Sequence, residues 1–474
     1  MKHLHETKEI LEAGPSEDSI SLRAADARHL LHPWADLSSV GDENALVIEH
    51  AKGVHIYDSA GKQYLDAIGG MWCVTVGYGN EELAEAMANQ ARIMAYYTPF
   101  GDMSSAPSVR LAQMLAELTP GDLNRAHFTT CGSTAIDSAV RIAHYYFAAQ
   151  GRPGKRHVLS RRNAYHGSTY LAASLSGKLA DRTLFQYESD FIHHLSSPQF
   201  DADVSQESAD ACLQRLVAEM DAEIMRIGAE NIACFVAEPI LASGGILIPP
   251  PGYHKATSEL CRKYDILYVS DEVVTGFGRL GHFFASEHRF GIVPDMIVSA
   301  KGLTSGYQPL GVVMISDRIC ELLREKAPEG NTVFSNGYTY SGHPITCATA
   351  IANIEIMQRD NICGHVQEVG PYFIEQLKTL ASSPIVYTVR GDHLMACVEC
   401  WTGDEAGPNA NNMAVAQRVD QYCEEAGVLV RPYENLCILS PPLVVERHDI
   451  DRIVATLSEA LDRAYQDLKN GNIV

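Results

Sequence analysis

Short apolar runs alternate with segments of helical periodicity through the middle of the chain, and this alternation constrains the fold more than any other feature. The runs are RAHFTTC, HVLSR, IACFVAEP, ILYVSDEV, MIVSAKG and GVVMIS. Helical patterns lie between several of them, one from about Thr134 to Ala149 and one near 252–263. This alternation is typical of a mostly parallel sheet that is covered by helices. We therefore predict an α/β fold.

One connection in this series predicts a strand of opposite direction. GLTSGYQP separates MIVSAK from GVVMIS, and about eight residues are too few for a parallel crossover, which needs a dozen or more. We therefore expect one antiparallel strand in the central sheet.

The two ends of the chain have a different pattern. ALVIEHAKGVHIYDSAGKQYLDA predicts a small antiparallel meander, and the region after about residue 346 contains a long helix, the strand candidates YTVRG, LMACVEC, GVLVRPY and LCILSP, and a final amphipathic helix. We predict a large domain over 75–345, and a smaller α+β domain built from 1–74 and 346–474.

Charge and composition exclude several classes of partner. The 474 residues carry a formal net charge of -22, which opposes binding to phosphate backbones and to anionic membrane surfaces. No apolar run reaches the roughly 18 residues of a membrane span, and the first residues lack the apolar region of a signal peptide. We predict no nucleic acid or membrane partner and a cytoplasmic location. Most of the twelve cysteines lie in apolar contexts, as Cys234 does, which fits a reducing compartment.

Cys397 and Cys400 have the CxxC spacing that can indicate metal or redox chemistry. Their segment reads as a strand, in which residues three apart point to opposite faces. We therefore predict that both are core residues.

Several motifs of other enzyme classes fail or are absent. GFGRLG at 276–281 matches GxGxxG, but Gly291 and Pro294 interrupt the segment after it, and Asp295 precedes its strand instead of ending it. Asp271 and Glu272 resemble the acidic end of an ATPase strand, yet the chain has no GxxxxGK[ST], and neither HExxH nor GxSxG occurs. We predict no metal site.

Asp271 and Lys301 end two successive predicted strands, and the connection between them is long enough for a parallel crossover. Both side chains should then face the carboxyl edge of the sheet, where α/β proteins bind ligands. Pyridoxal 5'-phosphate (PLP) needs a lysine amine for a Schiff base, a carboxylate that keeps its pyridine nitrogen protonated, and donors for its phosphate. The pair therefore predicts a PLP site.

Candidates for the remaining cofactor contacts lie elsewhere in the large domain. Gly132, Ser133 and Thr134 begin a predicted helix, whose free N–H groups and dipole favour an anion, although Ser and Thr also cap helices routinely. Tyr165 and His166 lie beside a glycine turn, where an aromatic ring could stack on a flat heterocycle or simply belong to the core.

Taken together, the chain resembles the class III aminotransferases, which have the fold-type I architecture of PLP enzymes. The resemblance runs from about Asn44 to about Tyr465, and its most specific stretches are GMWCVTVGYG, AYHGST, AEPI, SDEVVTGFGRLG, SAKGLTSGYQPLG and YTYSGHP.

The resemblance implies roles for individual residues. Lys301 and Asp271 would be catalytic, and Gly132 and Ser133 would hold the phosphate together with Thr339 of the partner subunit in a homodimer or tetramer. Tyr165 and Val273 would enclose the ring, with His166 and Glu238 beside the site. The chain is most similar to the ω-amine:pyruvate transaminases, in which the positions of Trp72, Phe100 and Arg431 shape the substrate pocket together with Tyr165.

The implied activity is a ping-pong transfer of an amino group from a primary amine to a keto acid such as pyruvate. Aminomutases and dialkylglycine decarboxylases share the same motifs and remain alternatives, as do a non-catalytic regulator with this fold and, more remotely, an NAD-dependent oxidoreductase. A diamine, a polyamine, taurine, β-alanine or an aryl amine would all be compatible donors. One departure is Thr134, where the family usually has Glu.

Overall fold

The computed structural model describes residues 17–326, 333–403 and 406–471. Its α-helices comprise Glu17–His29, Glu81–Ile93, Ala106–Leu118, Gly132–Ala149, Tyr170–Leu175, Ala209–Ile227, Tyr253–Lys263, Ala285–His288, Asp317–Lys326, Pro344–Arg359, Ile362–Lys378, Ala410–Glu425 and Arg447–Lys469. No helix among these residues is long and apolar enough to cross a membrane.

A seven-stranded sheet forms the centre of the molecule. Its strands are β4 (Arg125–Thr129), β5 (His157–Arg161), β6 (Ile192–Leu195), β7 (Ile232–Ala237), β8 (Leu267–Asp271), β9 (Met296–Ser299) and β10 (Gly311–Ile315). They follow the order β4-β10-β9-β8-β7-β5-β6. β10 is antiparallel to both of its neighbours, while the other pairings are parallel. The prediction of a mostly parallel sheet with one antiparallel strand is confirmed.

Helices cover the central sheet, which explains why its middle strands read as continuous apolar runs. Every residue of β7, β8, β9 and β10 is buried. The helix Gly132–Ala149 packs Ile136, Val140, Ala143 and Phe147 against this sheet. The helix begins at Gly132, within the segment Gly132–Thr134 that the sequence predicted as its start. The Thr134 hydroxyl donates to the Cys131 carbonyl and accepts from the Cys131 N–H, which closes the first turn.

The predicted meander is formed by β1 (Ile48–Lys52), β2 (His55–Asp58) and β3 (Gln63–Asp66), which pair antiparallel. A third sheet contains β11 (Val386–Asp392), β12 (Met395–Cys400), β14 (Arg431–Tyr433) and β15 (Leu436–Leu439) in the order β11-β12-β15-β14. The prediction of one strand through GVLVRPY is wrong. The chain changes sheets at Val430, so that β13 (Val428–Leu429) pairs in parallel with β3 while β14 pairs with β15.

Cys397 and Cys400 both lie in β12 and are fully buried, so the prediction that they are core residues is confirmed. The domain boundaries at residues 75 and 345 stay a prediction, and parts of the predicted small domain lie outside the described residues.

Candidate active site

The carboxyl ends of β8 and β9 bring the two central candidates to one cavity. Asp271 is the last residue of β8, and Lys301 follows β9 after Ala300. Both line a cavity of about 460 Å³ at this edge of the sheet. Further residues that sequence analysis singled out line the same cavity: Trp72, Gly132, Ser133, Tyr165, His166, Glu238 and Val273.

Lys301 is held with its amine free inside this cavity. Its backbone is left-handed, with a φ of 41°. Among the described residues its ammonium has no hydrogen-bonding or ion-pairing partner, and it lies 5.0 Å from the centre of the Trp72 ring. Burial lowers the pKa of this lysine, which favours the neutral, nucleophilic amine.

Asp271 is oriented by two hydrogen bonds. Its Oδ2 lies 2.7 Å from His166 Nδ1, and its Oδ1 accepts from the backbone N–H of Val273 at 3.1 Å. The Asp271 side chain is 4% exposed. An ionised Asp271 accepts at both oxygens, so Nδ1 of His166 carries the proton in this arrangement.

Glu238 forms part of the wall and organises the segment that carries Tyr165. Its two carboxyl oxygens accept from the backbone N–H groups of Tyr165 and Ala242, each at 3.0 Å. Burial raises the pKa of this carboxyl. We conclude that Glu238 fixes two loops around the cavity.

The start of the helix Gly132–Ala149 is a candidate anion site. Within the described residues, the backbone N–H groups of Gly132 and Ser133 have no acceptor. The space beside them is small: a Cβ at Gly132 would lie 3.1 Å from Val273, and one at Gly167 would lie 2.2 Å from Ser133 Oγ. Free N–H groups at a helix N-terminus are suited to bind a phosphate.

Trp72 lines the cavity, and Arg431, which is not one of the lining residues, lies against the Trp72 ring. The Arg431 guanidinium carbon is 5.2 Å from the centre of the Trp72 ring, within the range of a cation–π contact. Arg431 lies on β14 and is partly buried, which lowers the pKa of its guanidinium. The guanidinium still remains charged in any ordinary pH range.

Like Arg431, the predicted site residues Phe100 and Thr339 are not among the residues that line the cavity of their own chain. Phe100 is 49% exposed and lies beside Gly337, where an added Cβ would be 3.2 Å from Cε1 of the Phe100 ring. The Thr339 carbonyl accepts from the Tyr96 hydroxyl at 2.8 Å. Both therefore belong to a surface that also exposes Tyr96, Tyr97, Val333, Phe334 and Tyr340, which we call the aromatic surface.

Sequence analysis missed a cluster beside the cavity. The Lys178 ammonium lies 3.8 Å from the centre of the Tyr433 ring and 3.2 Å from Asp181, while Trp34 contacts Tyr165 edge to face. The Lys178 ammonium also donates to the hydroxyl of Ser243 at 3.3 Å, and Ser243 lines the cavity. These residues belong to no recognisable motif, so only the structure identifies them.

The donor set fits PLP. A free lysine amine, a buried carboxylate held by a histidine, and unpaired N–H groups at a helix N-terminus lie around one cavity, at the carboxyl edge of a sheet with this strand order. The class of protein that this fold and site define is a PLP-dependent enzyme of fold-type I.

Comparisons with known proteins identify the family. The model of the class III aminotransferases matches residues 37–461. The putrescine–pyruvate aminotransferase of Pseudomonas aeruginosa is 36% identical over 93% of this chain and 96% of its own. A mitochondrial γ-aminobutyrate transaminase of Oryza sativa is 35% identical over 94% of this chain and 87% of its own.

Solved structures agree with this result. An (S)-enantioselective ω-transaminase from Thermomicrobium roseum superposes with a TM-score of 0.90 at 36% identity, over 94% of this chain and 98% of its own. A PMP-bound aminotransferase from Vibrio fluvialis gives a TM-score of 0.89 at 32% identity, over 94% of this chain and 98% of its own. The chain belongs to the class III aminotransferases and is a PLP-dependent enzyme that transfers amino groups.

Proposed function

We propose that this enzyme moves the amino group of a primary ω-amine to pyruvate, in a ping-pong reaction at Lys301. The observation that carries the proposal is the contact of Arg431 with Trp72, a residue that lines the Lys301 cavity. A pocket of this kind must accept an apolar or cationic group with the amine, and then a carboxylate with the keto acid.

Arg431 suits this alternation. Its guanidinium can bind a carboxylate with two parallel hydrogen bonds, and its long side chain can move the charge aside when no carboxylate is present. Trp72 offers a flat apolar face to a donor without a carboxylate, and it also holds the guanidinium between the two half-reactions. Within the described part of the chain, the Arg431 guanidinium forms no ion pair, and its Nη1 contacts Met71 Sδ at 2.7 Å.

The other residues have roles that follow from their contacts. Bound PLP supplies the electron sink into which the bond pair of the substrate carbon is delocalised. The Lys301 amine, whose pKa is lowered by burial, would take the proton from the substrate carbon and give it to the bound cofactor, and would carry it back in the second half-reaction. His166 contacts Oδ2 of Asp271 and the Val273 N–H donates to Oδ1, so the carboxylate is held in a fixed orientation for the pyridine nitrogen of the cofactor. Gly132 and Ser133 supply N–H groups for the phosphate.

Two relatives support the choice of substrates. One has a name that specifies putrescine and pyruvate, and another is named for γ-aminobutyrate. Both names describe ω-amines. Trp72 and Arg431 favour amine:pyruvate transfer over the aminomutase and decarboxylase alternatives.

We also propose that the functional unit is at least a homodimer. Thr339 and Phe100 lie on the exposed aromatic surface and not in the cavity of their own chain, so a second copy seated on this surface would bring both to the neighbouring site. A dimer or a tetramer satisfies this requirement. We also propose a cytoplasmic location. All twelve cysteines are free, which fits a reducing compartment.

Subunit complementation tests the shared site. Lys301→Ala and Thr339→Asp should each be inactive alone, the latter because a carboxylate repels the phosphate. Refolded together, they form one site with Lys301 from one chain and Thr339 from the other, so part of the activity should return. If mixing restores nothing although mixed dimers form, both residues act within one chain and the proposal is wrong.

Half-reactions test the substrate assignment. A panel of amines with pyruvate, scored by alanine formation, identifies the donor. Single-turnover spectra of Arg431→Ala separate the two half-reactions. The rate with a carboxylate-free amine should be almost unchanged. The rate with pyruvate should be much lower at low pyruvate concentration. Arg463→Ala, which removes an exposed arginine paired with Glu425, is the matched control. Equal losses in both half-reactions would show that Arg431 is structural.

A further inference from the structure

Four consecutive residues next to β3 have left-handed backbone. The φ values are 59° at Gly69, 54° at Gly70, 66° at Met71 and 63° at Trp72. The turn is closed by hydrogen bonds from Trp72 N–H to the Ile68 carbonyl and from Cys73 N–H to the Gly69 carbonyl. L-amino acids with side chains disfavour this conformation, and runs of it are rare. Met71 and Trp72 therefore need an external constraint that keeps them in it.

The Asp66 carboxylate provides that constraint. Its Oδ1 accepts from the N–H groups of Ile68 at 2.9 Å and Gly69 at 3.0 Å. Its Oδ2 accepts from the Gly70 N–H at 2.9 Å and the Tyr78 hydroxyl at 2.6 Å. Asp66 is 3% exposed, so these four bonds are shielded from water. Three successive N–H groups converge on one buried anion.

The surroundings leave the turn no room to relax. A Cβ at Gly69 would lie 2.5 Å from the Ser440 carbonyl oxygen, and one at Gly70 would lie 2.8 Å from the Tyr78 hydroxyl. The Ser440 hydroxyl also donates to the Ile68 carbonyl at 2.7 Å. The turn is thus held from one side by Asp66 and from the other by the segment after β15.

The turn determines where Trp72 lies. The Trp72 side chain leaves the last left-handed residue and is 4% exposed, with its ring 5.0 Å from the Lys301 amine and 5.2 Å from the Arg431 guanidinium carbon. A right-handed backbone at Trp72 would direct the ring elsewhere.

We propose that Asp66 is a positioning residue of the active site: its carboxylate holds the left-handed turn Gly69–Trp72, and this turn places the Trp72 ring between Lys301 and Arg431. Asp66 touches neither cofactor nor substrate in this assignment. The consequence for donor selection rests on the proposed function, in which Trp72 is the wall of the donor pocket.

Asp58 is a matched control for Asp66. It is the last residue of β2, as Asp66 is the last residue of β3, and it is also 3% exposed. Its carboxylate accepts from the N–H groups of Ala60 and Lys62 and from the Tyr64 hydroxyl, each at 2.9 Å. Asp58→Asn therefore damages the same kind of buried turn in the same sheet, but away from Trp72.

The test is ¹⁹F NMR of the holoenzyme labelled with 5-fluorotryptophan. The chain has three tryptophans, so three resonances are expected, and Trp72→Phe assigns the one of interest. In Asp66→Asn, the Trp72 resonance should shift and gain a solvent isotope effect, because an asparagine amide cannot accept from the Gly70 N–H and the ring loses its fixed position. The Trp401 resonance should stay in place. Asp58→Asn should leave the Trp72 resonance unchanged at a similar loss of thermal stability.

If Asp66→Asn does not fold, Tyr78→Phe is a milder variant that tests the same contacts. It removes one of the four donors to Asp66 and should move the Trp72 resonance in the same direction by a smaller amount. The proposal is overturned if the Trp72 resonance is unaffected in the folded variants at Asp66 and Tyr78, or if Asp58→Asn moves it as far.

Donor selectivity separates this inference from the proposed function. The ratio of kcat/KM for an aryl amine to that for a short aliphatic amine should change about tenfold in Asp66→Asn, since misplacing a pocket residue by about 1 Å can cost up to about 100-fold. A shifted Trp72 resonance with an unchanged ratio would support positioning by Asp66 and refute the role of Trp72 as the donor wall.

Discussion

At the scale of single residues, two adjacent carboxylates at the end of β8 have different surroundings. Asp271 faces the cavity and is held by His166 and the Val273 N–H. Glu272 is fully buried on the other side and accepts from Thr275, from the Ala285 N–H and from both the N–H and the hydroxyl of Ser286. The first carboxylate is available to a ligand, whereas the second joins loops.

We expect substitutions at the two positions to have opposite consequences. Asp271→Asn should lower the rate of proton transfer far more than cofactor affinity and leave the thermal midpoint close to that of the parent. Glu272→Gln should cost about 1–3 kcal/mol of stability, because its amide cannot accept from all of these donors. Chemical denaturation of both variants measures the loss of stability, and single-turnover rates measure the loss of proton transfer. If Asp271→Asn mainly lowered stability and Glu272→Gln mainly lowered the rate of proton transfer, the roles assigned to the two carboxylates would be reversed.

Lys301 gives a second residue-level prediction. Lys301→Ala should abolish amino transfer while the fold persists, because the free amine in the cavity is removed. Lys301→Arg is the control, since it keeps a cation but offers no amine whose pKa allows it to take a proton. Borohydride reduction followed by peptide mass analysis should locate the cofactor on Lys301 in the parent enzyme. Near-normal turnover in either variant contradicts the assignment.

Lys301 and Asp271 could be predicted from sequence because each ends an apolar run, and strand ends meet at one edge of a parallel sheet. Lys178 and Trp34 could not. Lys178 lies in a loop after Gly177 and reaches Tyr433 only because β14 brings that ring alongside it. Such a contact depends on tertiary packing between distant segments, which leaves no local pattern.

At the scale of elements, the start of the helix Gly132–Ala149 shows how Thr134 substitutes for the usual glutamate. The Thr134 hydroxyl bonds both backbone groups of Cys131, at 3.1 Å and 2.9 Å. A short hydroxyl therefore fixes the first turn and leaves the N–H groups of Gly132 and Ser133 directed at the anion site. This departure from the family pattern changes the side chain but keeps the anion turn.

Thr134→Ala tests this account. The loss of the capping contacts should reduce stability by about 0.5–2 kcal/mol, and the looser turn should weaken cofactor retention during dialysis. Thr183→Ala, at an ordinary position after the short helix Ala180–Arg182, is a threonine control. Retention equal to that of the parent would mean that the N–H groups need no help from Thr134.

The strand pattern also shows where element-level prediction fails. GVLVRPY reads as one strand because its apolar residues are continuous, yet the chain leaves one sheet after Leu429 and enters another at Arg431. The preference for strand was predicted correctly. The choice of partner was not, since it depends on β3 and β15, which are far away in sequence.

At the scale of the whole molecule, stability should depend on pH through buried histidines. His254 bonds Tyr268 and the Pro239 carbonyl, and burial lowers its pKa to about 3. Burial and Arg182 lower the pKa of His194 to about 4. Both are neutral in the folded protein and take up protons on unfolding once the pH falls below about 6.5.

Acid should therefore destabilise the protein through these two residues. Their folded pKa values are depressed, so the stabilising contribution is complete above about pH 6.5 and is lost as the pH falls towards 4 and 3. Each histidine should add a slope of about 1.4 kcal/mol per pH unit between about pH 6 and 4.5 in urea unfolding of the holoenzyme. His194→Asn should remove one such slope. Stability that rises on acidification would contradict this prediction.

The position of β10 has a consequence for the order in which the enzyme can be completed during synthesis. β4, which leads into Gly132, lies at the edge of the central sheet and pairs there with β10, so that Thr129 lies opposite Gly311. Because a ribosome delivers the chain from its N-terminus, β4 emerges long before this partner exists. The start of the helix Gly132–Ala149 and Lys301 can therefore come together around one cavity only late in translation. Until then the edge of β4 is exposed to other chains, and a chaperone would protect the nascent enzyme at this stage.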